Sequence, residues 1–277
     1  MRKTPVIGPV LRTGLVVLLI CFAGFPLYWL FNTAVSTDDE LYGAGQRFVP
    51  DLGRLGQILD VFDDTPLLRW LSNSGIVAIG TTLLSFLIAI LAGYALSRFR
   101  FHGRGVMGFA LFTTQMLPEA LIVVPLYSIF VSLGLINSLY GLVLANTAFA
   151  MPVAAFVIKS AVDRVPFEVE EAARVDGASR LGVLFQIVFP LIVPSVAASA
   201  VITFFDGWNE YLFAATFIQD QDKWTTSMGL ASFIGEFVTP LPTVFSAALI
   251  FTIPGVVFFL IAQKWIVSGL ASGSVKG

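Results

Sequence analysis

Among the apolar stretches of this chain that are long enough to cross a lipid bilayer as helices, four predicted spans carry no Asp, Glu, Lys or Arg. They cover residues 13–34, 71–97, 139–158 and 244–262. An α-helix rises 1.5 Å per residue, so about 20 apolar residues span a hydrocarbon core about 30 Å thick. Two further stretches have the same length but contain acids, Glu119 in 105–131 and Asp206 with Glu210 in 191–217. The sequence therefore predicts an all-α integral membrane protein with six transmembrane helices.

The composition agrees with this prediction. Of the 277 residues, 57% are apolar and 12% are charged, and the mean hydropathy is +0.87. Arg2, Lys3 and Arg12 precede the first stretch, whose apolar run is longer than the core of a signal peptide, so we expect an uncleaved membrane anchor. The only cysteine, Cys21, lies in that stretch, so no internal disulfide is expected.

The basic residues between the predicted spans set the expected orientation. With the N-terminus inside, twelve of the sixteen Lys and Arg residues lie on one side of the membrane. The positive-inside rule then places both termini in the cytoplasm of a bacterial-type cell membrane. We expect residues 36–69 and 219–243 to be external loops and 163–190 to be a cytoplasmic loop. The whole chain, 1–277, is predicted to form one transmembrane domain.

The cytoplasmic loop contains a highly charged segment, residues 170–180, with the sequence EEAARVDGASR. Pro166 suits the first turn of a helix, and acids are favoured near a helix N-terminus. Gly177 can adopt the positive φ that ends a helix, and Ser179 can cap the next one. We predict a short helix, a turn and a second helix whose apolar side lies along the membrane surface before the fifth span.

Two roles are open for the charged segment. It could be a solvated connector, with Glu170 and Arg174 paired four residues apart. Alternatively, it docks a partner, because Ala172 and Ala173 have almost no side chain and allow another backbone to approach closely. Glu171 would then offer a carboxylate to a cation or an N–H group of that partner.

The spacing of residues in the loop favours the docking role. In order come Glu171-Ala172-Ala173, three residues, Gly177, nine residues, Ile187, one residue and Phe189-Pro190. This pattern resembles the EAA loop of ABC importer permeases, which has E-A-A, three residues, G, nine, I, one and L-P. Phe189 stands where that pattern has Leu. In this interpretation Gly177 sets the angle between the two helices, and a push on the first reaches the fifth span through Phe189-Pro190.

Further segments resemble one branch of that family, the maltose-type permeases of carbohydrate importers. They are Asn73-Ser74, Gly93 to Phe99, Pro125 to Tyr127, Leu133 to Leu135, Trp208 to Glu210 and Val267 to Gly277. The resemblance implies the MetI-like fold of type I ABC importer permeases. It also implies import of a sugar or sugar-like solute. The implied partners are a second permease, an ATPase subunit dimer and an external solute-binding protein, with surrounding lipid and no nucleic acid.

The same resemblance implies roles for particular residues. Those expected to couple to the ATPase are Glu170, Glu171, Ala172, Ala173, Asp176 and Gly177. Those expected in a tail that reaches the ATPase interface are Ser268, Gly269 and Lys276. Residues 219–243 would touch the binding protein.

No nucleotide-binding motif accompanies these sites. The sequence has no Gly-Lys pair, so the phosphate-binding G-x-x-x-x-G-K-[ST] loop is absent. With one His and one Cys, a metal-ligand cluster is not expected either. We therefore expect a transport subunit without catalytic residues, metal or cofactor, whose partner ATPase subunits hold ATP and Mg²⁺.

Polar residues within the apolar spans are candidates for the solute path, because an ionisable group is costly inside a membrane. They are Glu119, Asp206, Trp208, Asn209, Glu210 and Tyr211. Trp208 or Tyr211 could offer a flat surface to a sugar ring. Glu119 lies between Pro118 and Pro125, which predicts a kinked or partly unwound third span. The alternative is that these residues contact the sister permease or lie near the outer water interface.

The sequence favours the permease subunit of an ATP-driven importer over two other classes. An ion-coupled secondary transporter would use Glu119, Asp206 or Glu210 to carry protons or sodium, and such proteins often contain inverted repeats, which are not evident here. A membrane-embedded enzyme would need a nucleophile or metal constellation that the sequence does not display.

Overall fold

The computed structural model describes residues 7–273 apart from 44, 46 and 235–238, and the side chains in these ranges from Leu11 to Ile266. No strand occurs in this part of the chain. The helices are α1 (Ile7–Ala34), α2 (Asp38–Tyr42), α3 (Gln57–Asp64), α4 (Leu67–Arg98), α5 (Arg104–Thr114), α6 (Glu119–Ser132), α7 (Leu139–Val162), α8 (Phe167–Val175), α9 (Arg180–Gly182), α10 (Phe189–Asn209), α11 (Leu212–Phe217), α12 (Thr226–Ser232) and α13 (Leu241–Gly273). A π-helical segment, Val183–Val188, and two 3₁₀ turns, Leu52–Arg54 and Gln221–Lys223, complete the regular structure.

Several of these helices are long and apolar enough to cross a membrane. In the described residues there are five such runs, Leu11–Ala34, Leu67–Arg98, Leu139–Val162, Arg180–Phe217 and Leu241–Ile266. A sixth crossing needs α5 and α6 together, and these two helices are bent by 105° at a short break. The predicted all-α membrane fold is thus found as five apolar runs and one broken pair.

Pro118 explains where the third predicted span breaks. Proline lacks the N–H that an interior helical residue donates, and it disfavours a helical conformation in the residue before it. α5 ends at Thr114, Pro118 is extended with φ −61° and ψ 128°, and α6 begins at Glu119. The kink predicted near Glu119 is therefore present as a complete interruption of the helix.

The described residues fall into two compact units. The first contains those up to Leu67 together with those in 230–253, and the second contains 68–229 and those from Pro254 onward. In the first unit Thr37 and Glu40 form a capping box at the start of α2. Hydrogen bonds from the Thr37 backbone N–H and from Arg54 hold the pKa of the Glu40 carboxyl below its usual value.

Two apolar clusters hold the second unit together. One packs the C-terminal half of α4 against α7 and against the helix that follows α8; it includes Phe86, Tyr94, Ile158, Leu184 and Val188. The other joins α6, α7 and α11 and includes Val123, Phe130, Leu142, Phe213 and Phe217.

Small residues allow the helices of the second unit to approach closely. A Cβ placed on Gly93 of α4 would lie 2.9 Å from Ala155 O of α7. A Cβ on Gly207 of α10 would lie 3.1 Å from Ala78 Cα of α4. Such contacts are typical of helix pairs in membranes, where van der Waals packing replaces the hydrophobic effect. They fix α4 against both of its neighbours.

Candidate functional site: a coupling helix and a polar cavity

The charged segment forms the short helix α8 and a tight turn, as the sequence predicts. Gly177 has φ +90°, a conformation that side-chain-bearing residues rarely adopt. Across it, Ala178 N–H donates to Ala173 O at 3.0 Å, the 6→1 bond of a Schellman motif. Ser179 Oγ then accepts a hydrogen bond from Gly182 N–H at 3.1 Å and caps the next helix.

Exposure separates the predicted coupling residues into two groups. Four of them are exposed: Glu171, Ala172, Asp176 and Gly177. Ala173 is partly buried and packs against the apolar cluster around α4 and α7. Glu170 is only 3% exposed. Glu171 and Ala172 thus lie on the exposed surface of α8, and Asp176 and Gly177 lie in the exposed turn after it, while Ala173 and Glu170 face the chain's own interior.

Glu170 takes part in a buried ion pair. Arg98, the last residue of α4, donates from Nε to Glu170 Oε1 at 2.6 Å. Tyr94 OH, one helical turn earlier, donates to Glu170 Oε2 at 2.9 Å. Because both carboxylate oxygens are engaged in this way, the pairing of Glu170 with Arg174 expected from their spacing does not describe the structure. Sequence spacing missed the partner, since Arg98 lies 72 residues away in the chain.

Arg98 also binds the end of α7. Its Nη2 donates to Val162 O at 2.8 Å and to Val165 O at 2.7 Å. The guanidinium carbon lies 5.9 Å from the ring centroid of Phe167, the first residue of α8. One side chain therefore joins the ends of α4 and α7 to the coupling helix.

A more exposed cluster adjoins this network. Ser97 Oγ donates to Asp163 Oδ1 at 2.5 Å, and Lys159 Nζ donates to Asp163 Oδ2 at 2.6 Å. Burial by itself raises the pKa of Asp163, but the hydrogen bonds from Lys159 and Ser97 outweigh it and lower the pKa below its usual value.

The second predicted helix is continuous with the fifth span. It runs from Arg180 through the π-helical segment Val183–Val188 directly into α10. Leu184 and Val188 are 1% and 0% exposed, because they pack into the cluster with α4 and α7. Pro190 cannot donate to the carbonyl four residues before it, and the wider π turn lies at this point. The apolar side of this helix is therefore only half buried, since Leu181 and Phe185 are 61% and 48% exposed.

A polar cavity of about 460 Å³ lies in the second unit. Its wall contains five of the six residues predicted for a solute path: Glu119, Asp206, Asn209, Glu210 and Tyr211. Trp208 is 4% exposed and stacks on Phe204, with 5.7 Å between ring centroids. Of the two aromatic candidates, Tyr211 lines the cavity and Trp208 belongs to the packed interior.

Two interrupted helices meet at this cavity. The break between α5 and α6 supplies Thr114, Gln115, Leu117 and Glu119 to the wall. The fifth predicted span is also broken, since α10 ends at Asn209 and α11 starts at Leu212. Backbone that leaves the helix at membrane depth is tolerated where it lines a water-filled cavity. The second break was not anticipated from the sequence, because no proline lies near it.

Glu210 explains how the chain turns at the second break. Its Oε1 accepts a hydrogen bond from Phe213 N–H, and its Oε2 accepts one from Ala214 N–H at 3.0 Å. The carboxylate thus satisfies the first free N–H groups of α11, where the helix dipole favours a negative charge. Glu119 and Asp206 differ, because neither carboxylate accepts a hydrogen bond or pairs with a Lys or Arg in the described residues.

Four polar residues of the wall were missed by sequence reasoning: Thr81, Thr114, Gln115 and Asn146. Gln115 Nε2 donates to Phe149 O at 3.0 Å, and Asn146 Nδ2 donates to Leu142 O at 2.9 Å. Thr81 Oγ1 is buried and has no hydrogen-bond partner in the described residues. An amide inside an apolar span, as at Asn146, was the available signal, whereas a threonine in such a span is too common to indicate a site.

The Asn73-Ser74 pair holds the start of the predicted external loop. Asn73 Nδ2 donates to Asp222 O at 2.9 Å and to Trp224 O at 2.8 Å. Ser74 Oγ accepts from Thr226 N–H at 2.8 Å. These bonds give the motif a structural role, because they satisfy backbone groups of a loop that leaves the helix.

Asn137 holds a second part of that loop. Its Oδ1 accepts from the backbone N–H groups of Gln219 and Asp220, both at 3.1 Å. Its Nδ2 donates to the Asp220 carboxylate at 2.6 Å, and this bond, together with Lys223, lowers the pKa of Asp220. Asn137 has φ +57°, a conformation that asparagine tolerates better than most residues.

The predicted tail lies at the limit of the described structure. Ser268 and Gly269 belong to the backbone of α13, which extends to Gly273, and their side chains are not described. Lys276 lies outside the described residues. Within the described residues there is no group of three or more His, Cys, Asp or Glu side chains that could hold a metal ion.

In the second unit, apolar helices surround a polar cavity, and helix α8 contacts the ends of α4 and α7. This arrangement is typical of a membrane transport protein. Residues 85–272 match the family described as "Binding-protein-dependent transport system inner membrane component". The chain belongs to this family and is a multi-pass membrane protein. The resemblance inferred from the EAA spacing is thereby confirmed.

Individual relatives cover almost the entire chain. The sulfoquinovosyl glycerol transport system permease protein SmoH of Agrobacterium fabrum is 33% identical over 253 residues, which are 91% of this chain and 89% of the relative. The trehalose/maltose transport system permease protein MalG of Thermococcus litoralis is 33% identical over 262 residues, 94% of this chain and 93% of the relative.

A solved structure confirms the fold. One chain in the crystal structure of a bacterial ABC transporter involved in the import of the acidic polysaccharide alginate has a TM-score of 0.76 and 21% identity. The match covers 95% of this chain and 98% of that chain. The predicted importer-permease fold is therefore confirmed.

Proposed function

We propose that this chain is the membrane-spanning permease subunit of an ATP-driven importer for sugars or sugar-like solutes. Both termini lie in the cytoplasm, and a second permease completes the solute path. An external binding protein delivers the solute, and a dimer of ATPase subunits binds ATP and Mg²⁺. The observation that carries the proposal is helix α8, which presents Glu171 and Ala172 on an exposed surface and ends at Gly177 in a Schellman turn.

The relatives and the cavity support a carbohydrate solute. The two relatives are named for sulfoquinovosyl glycerol and for trehalose or maltose. A cavity of about 460 Å³ is within the range of small-molecule sites. Carboxylate and amide oxygens, such as those of Asp206 and Asn209, accept hydrogen bonds from sugar hydroxyls. Tyr211 is 49% exposed and offers a ring face to the apolar side of a sugar.

The coupling helix supplies the link to ATP. Ala172 lets a cleft of the ATPase approach the helix closely, and Glu171 accepts a hydrogen bond or pairs with a cation there. ATP then drives transport by binding one of two states, outward-facing and inward-facing, more tightly than the other. This chain performs no hydrolysis itself, so it is a transport component and not an enzyme.

Two substitutions on α8 test this role in the complete complex reconstituted in proteoliposomes. Gly177→Pro cannot adopt φ +90°, and Ala173→Arg forces a long side chain against the packed inner face of α8. We expect both variants to remain in the membrane but to lose ATP hydrolysis stimulated by the solute-loaded binding protein. The matched control is Gly103→Pro, because Gly103 has φ +89° in a different exposed turn.

Normal stimulated ATPase activity in either α8 variant would contradict the proposal. The competing ion-coupled mechanism is tested with the chain alone in liposomes, using radiolabelled trehalose, maltose and raffinose as probes. Uptake driven by a proton or sodium gradient without an ATPase subunit would replace the importer by a secondary transporter. Uptake that requires the ATPase, the second permease and the binding protein would support the proposal.

A further inference from the structure

We propose that Arg98 is a positioning residue for coupling, which makes α8 move as one body with the ends of α4 and α7. These two helices carry Thr81 and Asn146 to the cavity wall. The inference rests on the proposed function, because it concerns how movement of the ATPase reaches the solute path. It adds a route to the one expected from the sequence, in which a push on α8 reaches the fifth span through Phe189-Pro190.

The contacts of Arg98 carry this inference. Its guanidinium donates to the Glu170 carboxylate on α8 and to the carbonyls of Val162 and Val165 at the end of α7. Tyr94 OH donates a hydrogen bond to the second carboxylate oxygen of Glu170. The side chains of Arg98 and Glu170 are 11% and 4% exposed, so water screens their attraction little. A lysine at position 98 would keep the charge but lose the planar fork that reaches several acceptors at once.

The covalent route from α8 to the fifth span is structurally weaker. It passes through Gly177, which is exposed and has no atom within 4 Å of where a Cβ would lie. It then continues through the π-helical segment Val183–Val188, an irregular part of a helix. A push on α8 therefore meets an exposed turn, closed by backbone hydrogen bonds, on one side and a buried ion pair on the other. The stiffer connection leads to α4 and α7.

Both of these helices reach the cavity without interruption. In α4, Arg98 and Thr81 are separated by about 25 Å at 1.5 Å per residue. The close approach at Gly93 locks α4 against α7 just beside the Arg98 network. α7 is continuous from Val162 back to Asn146. Rigid helices with packed contacts can carry a displacement between distant sites, provided that they have two discrete arrangements.

A distance measurement tests the mechanical link directly. Spin labels are placed at Glu168→Cys on α8 and at Arg100→Cys, two residues beyond α4, in a Cys21→Ser background of the complete complex. Both labelled positions are exposed. We expect the label distance to stay constant within about 2 Å between nucleotide-free and ATP-bound states, the scale of small helix shifts. Adding Arg98→Lys should make the distance change when ATP binds.

A functional measurement separates coupling from mere stability. Solute taken up per ATP hydrolysed is measured for Arg98→Lys and Glu170→Gln, with Arg100→Lys and Glu168→Gln as matched controls at exposed positions. The probe is whichever of trehalose, maltose or raffinose the unsubstituted complex transports. We expect the first two variants to bind the ATPase but to lower this ratio about fivefold to tenfold, within the range of site-to-site coupling. The controls should leave it unchanged.

The two measurements distinguish failure of this inference from failure of the proposed function. A label distance that already changes by more than about 2 Å on ATP binding with Arg98 in place would overturn the inference. An unchanged ratio in both network variants would do the same. If the unsubstituted complex transports none of the probes, the sugar assignment loses support, while the label distance still decides whether α8 and α4 move together.

Discussion

Two regions of the second unit hold charged side chains within an apolar helical bundle, and their surroundings differ. At the end of α4, Arg98 and Glu170 are buried and neutralise each other at 2.6 Å. At the cavity, Glu119 and Asp206 face open space and form no ion pair with Lys or Arg in the described chain. A paired charge fixes the arrangement of helices, whereas an unpaired one in a cavity is available to a solute, water or another subunit.

Glu210 is intermediate between these cases. It lines the cavity together with Glu119 and Asp206, yet its carboxylate accepts hydrogen bonds from Phe213 and Ala214 N–H. Its carboxylate therefore already has hydrogen-bond donors at the start of α11. The three acids of one wall thus divide into one that shapes the backbone and two whose carboxylates have no hydrogen bond or ion pair in the described residues.

The largest loss of unfolding free energy is expected from breaking the ion pair between Arg98 and Glu170. Arg98→Ala leaves Glu170 buried without its partner, which costs about 3–5 kcal/mol of unfolding free energy. The measurement is denaturant unfolding of the purified chain in detergent micelles. The exposed control Arg100→Ala should change it by less than about 0.5 kcal/mol. Recovery of most of the loss by Arg98→Met with Glu170→Leu would show that the uncompensated charge was the cause, and a stable Arg98→Ala would contradict the comparison.

Removing Asp206 and Glu119, which have no partner in the described residues, should lower solute uptake but leave the unfolding free energy almost unchanged. We expect Asp206→Asn combined with Glu119→Gln to lower solute uptake by the complete complex about tenfold, equivalent to about 1.4 kcal/mol. The unfolding free energy should change by less than about 1 kcal/mol, since no ion pair is lost. Asp63→Asn, in an exposed part of the first unit, is the control. Unchanged uptake and affinity would instead assign these acids to contact with the sister permease.

Glu210→Gln tests the intermediate case. The amide keeps one acceptor oxygen and loses the charge. It therefore binds the backbone N–H groups at the start of α11 less well than the carboxylate does. The expected loss is about 1 kcal/mol of unfolding free energy, typical of a weakened helix cap. Denaturant unfolding again measures it, and a loss as large as that of Arg98→Ala would place Glu210 with the paired charges.

The smallest effect is expected at Asp163, whose pKa is lowered by Lys159 and Ser97. A carboxyl whose pKa is lowered in the folded state stabilises the protein at pH values above its ordinary pKa of about 3.9. This contribution is lost as the pH falls from there through the lowered pKa of the folded state. Because the side chain is 42% exposed, Asp163→Asn should cost less than about 0.5 kcal/mol at pH 7. A difference from the unsubstituted chain that does not shrink as the pH falls below about 3.9 would refute this origin.

Local patterns anticipated much of the structure. The charge-free stretches predicted the apolar helices, and Pro118 predicted the break near Glu119. Gly177 predicted the end of α8. In each case the deciding interaction lies within a few residues, because backbone conformation and hydrogen bonding at helix ends are local properties.

Contacts between distant parts of the chain were not predictable in this way. Spacing suggested that Glu170 pairs with Arg174, but packing brings Arg98 to it from 72 residues away. Trp208 and Tyr211 looked equivalent as aromatic neighbours of Asn209, yet Trp208 is buried against Phe204 and Tyr211 lines the cavity. Which side of a helix faces a partner depends on the other helices, and in an evenly apolar span no periodic pattern reveals it.

The sequence by itself determined that this chain is a helical membrane protein with an EAA-type loop, because helix length, apolar content and the turn at Gly177 depend on neighbouring residues. Only the tertiary structure decided that Glu170 belongs to the interior, that α10 breaks at Glu210 and that two acids of the cavity have no partner among the residues the structure describes. These features depend on which charged and polar groups the packed helices bring within hydrogen-bonding distance, and that distance is set by the fold as a whole.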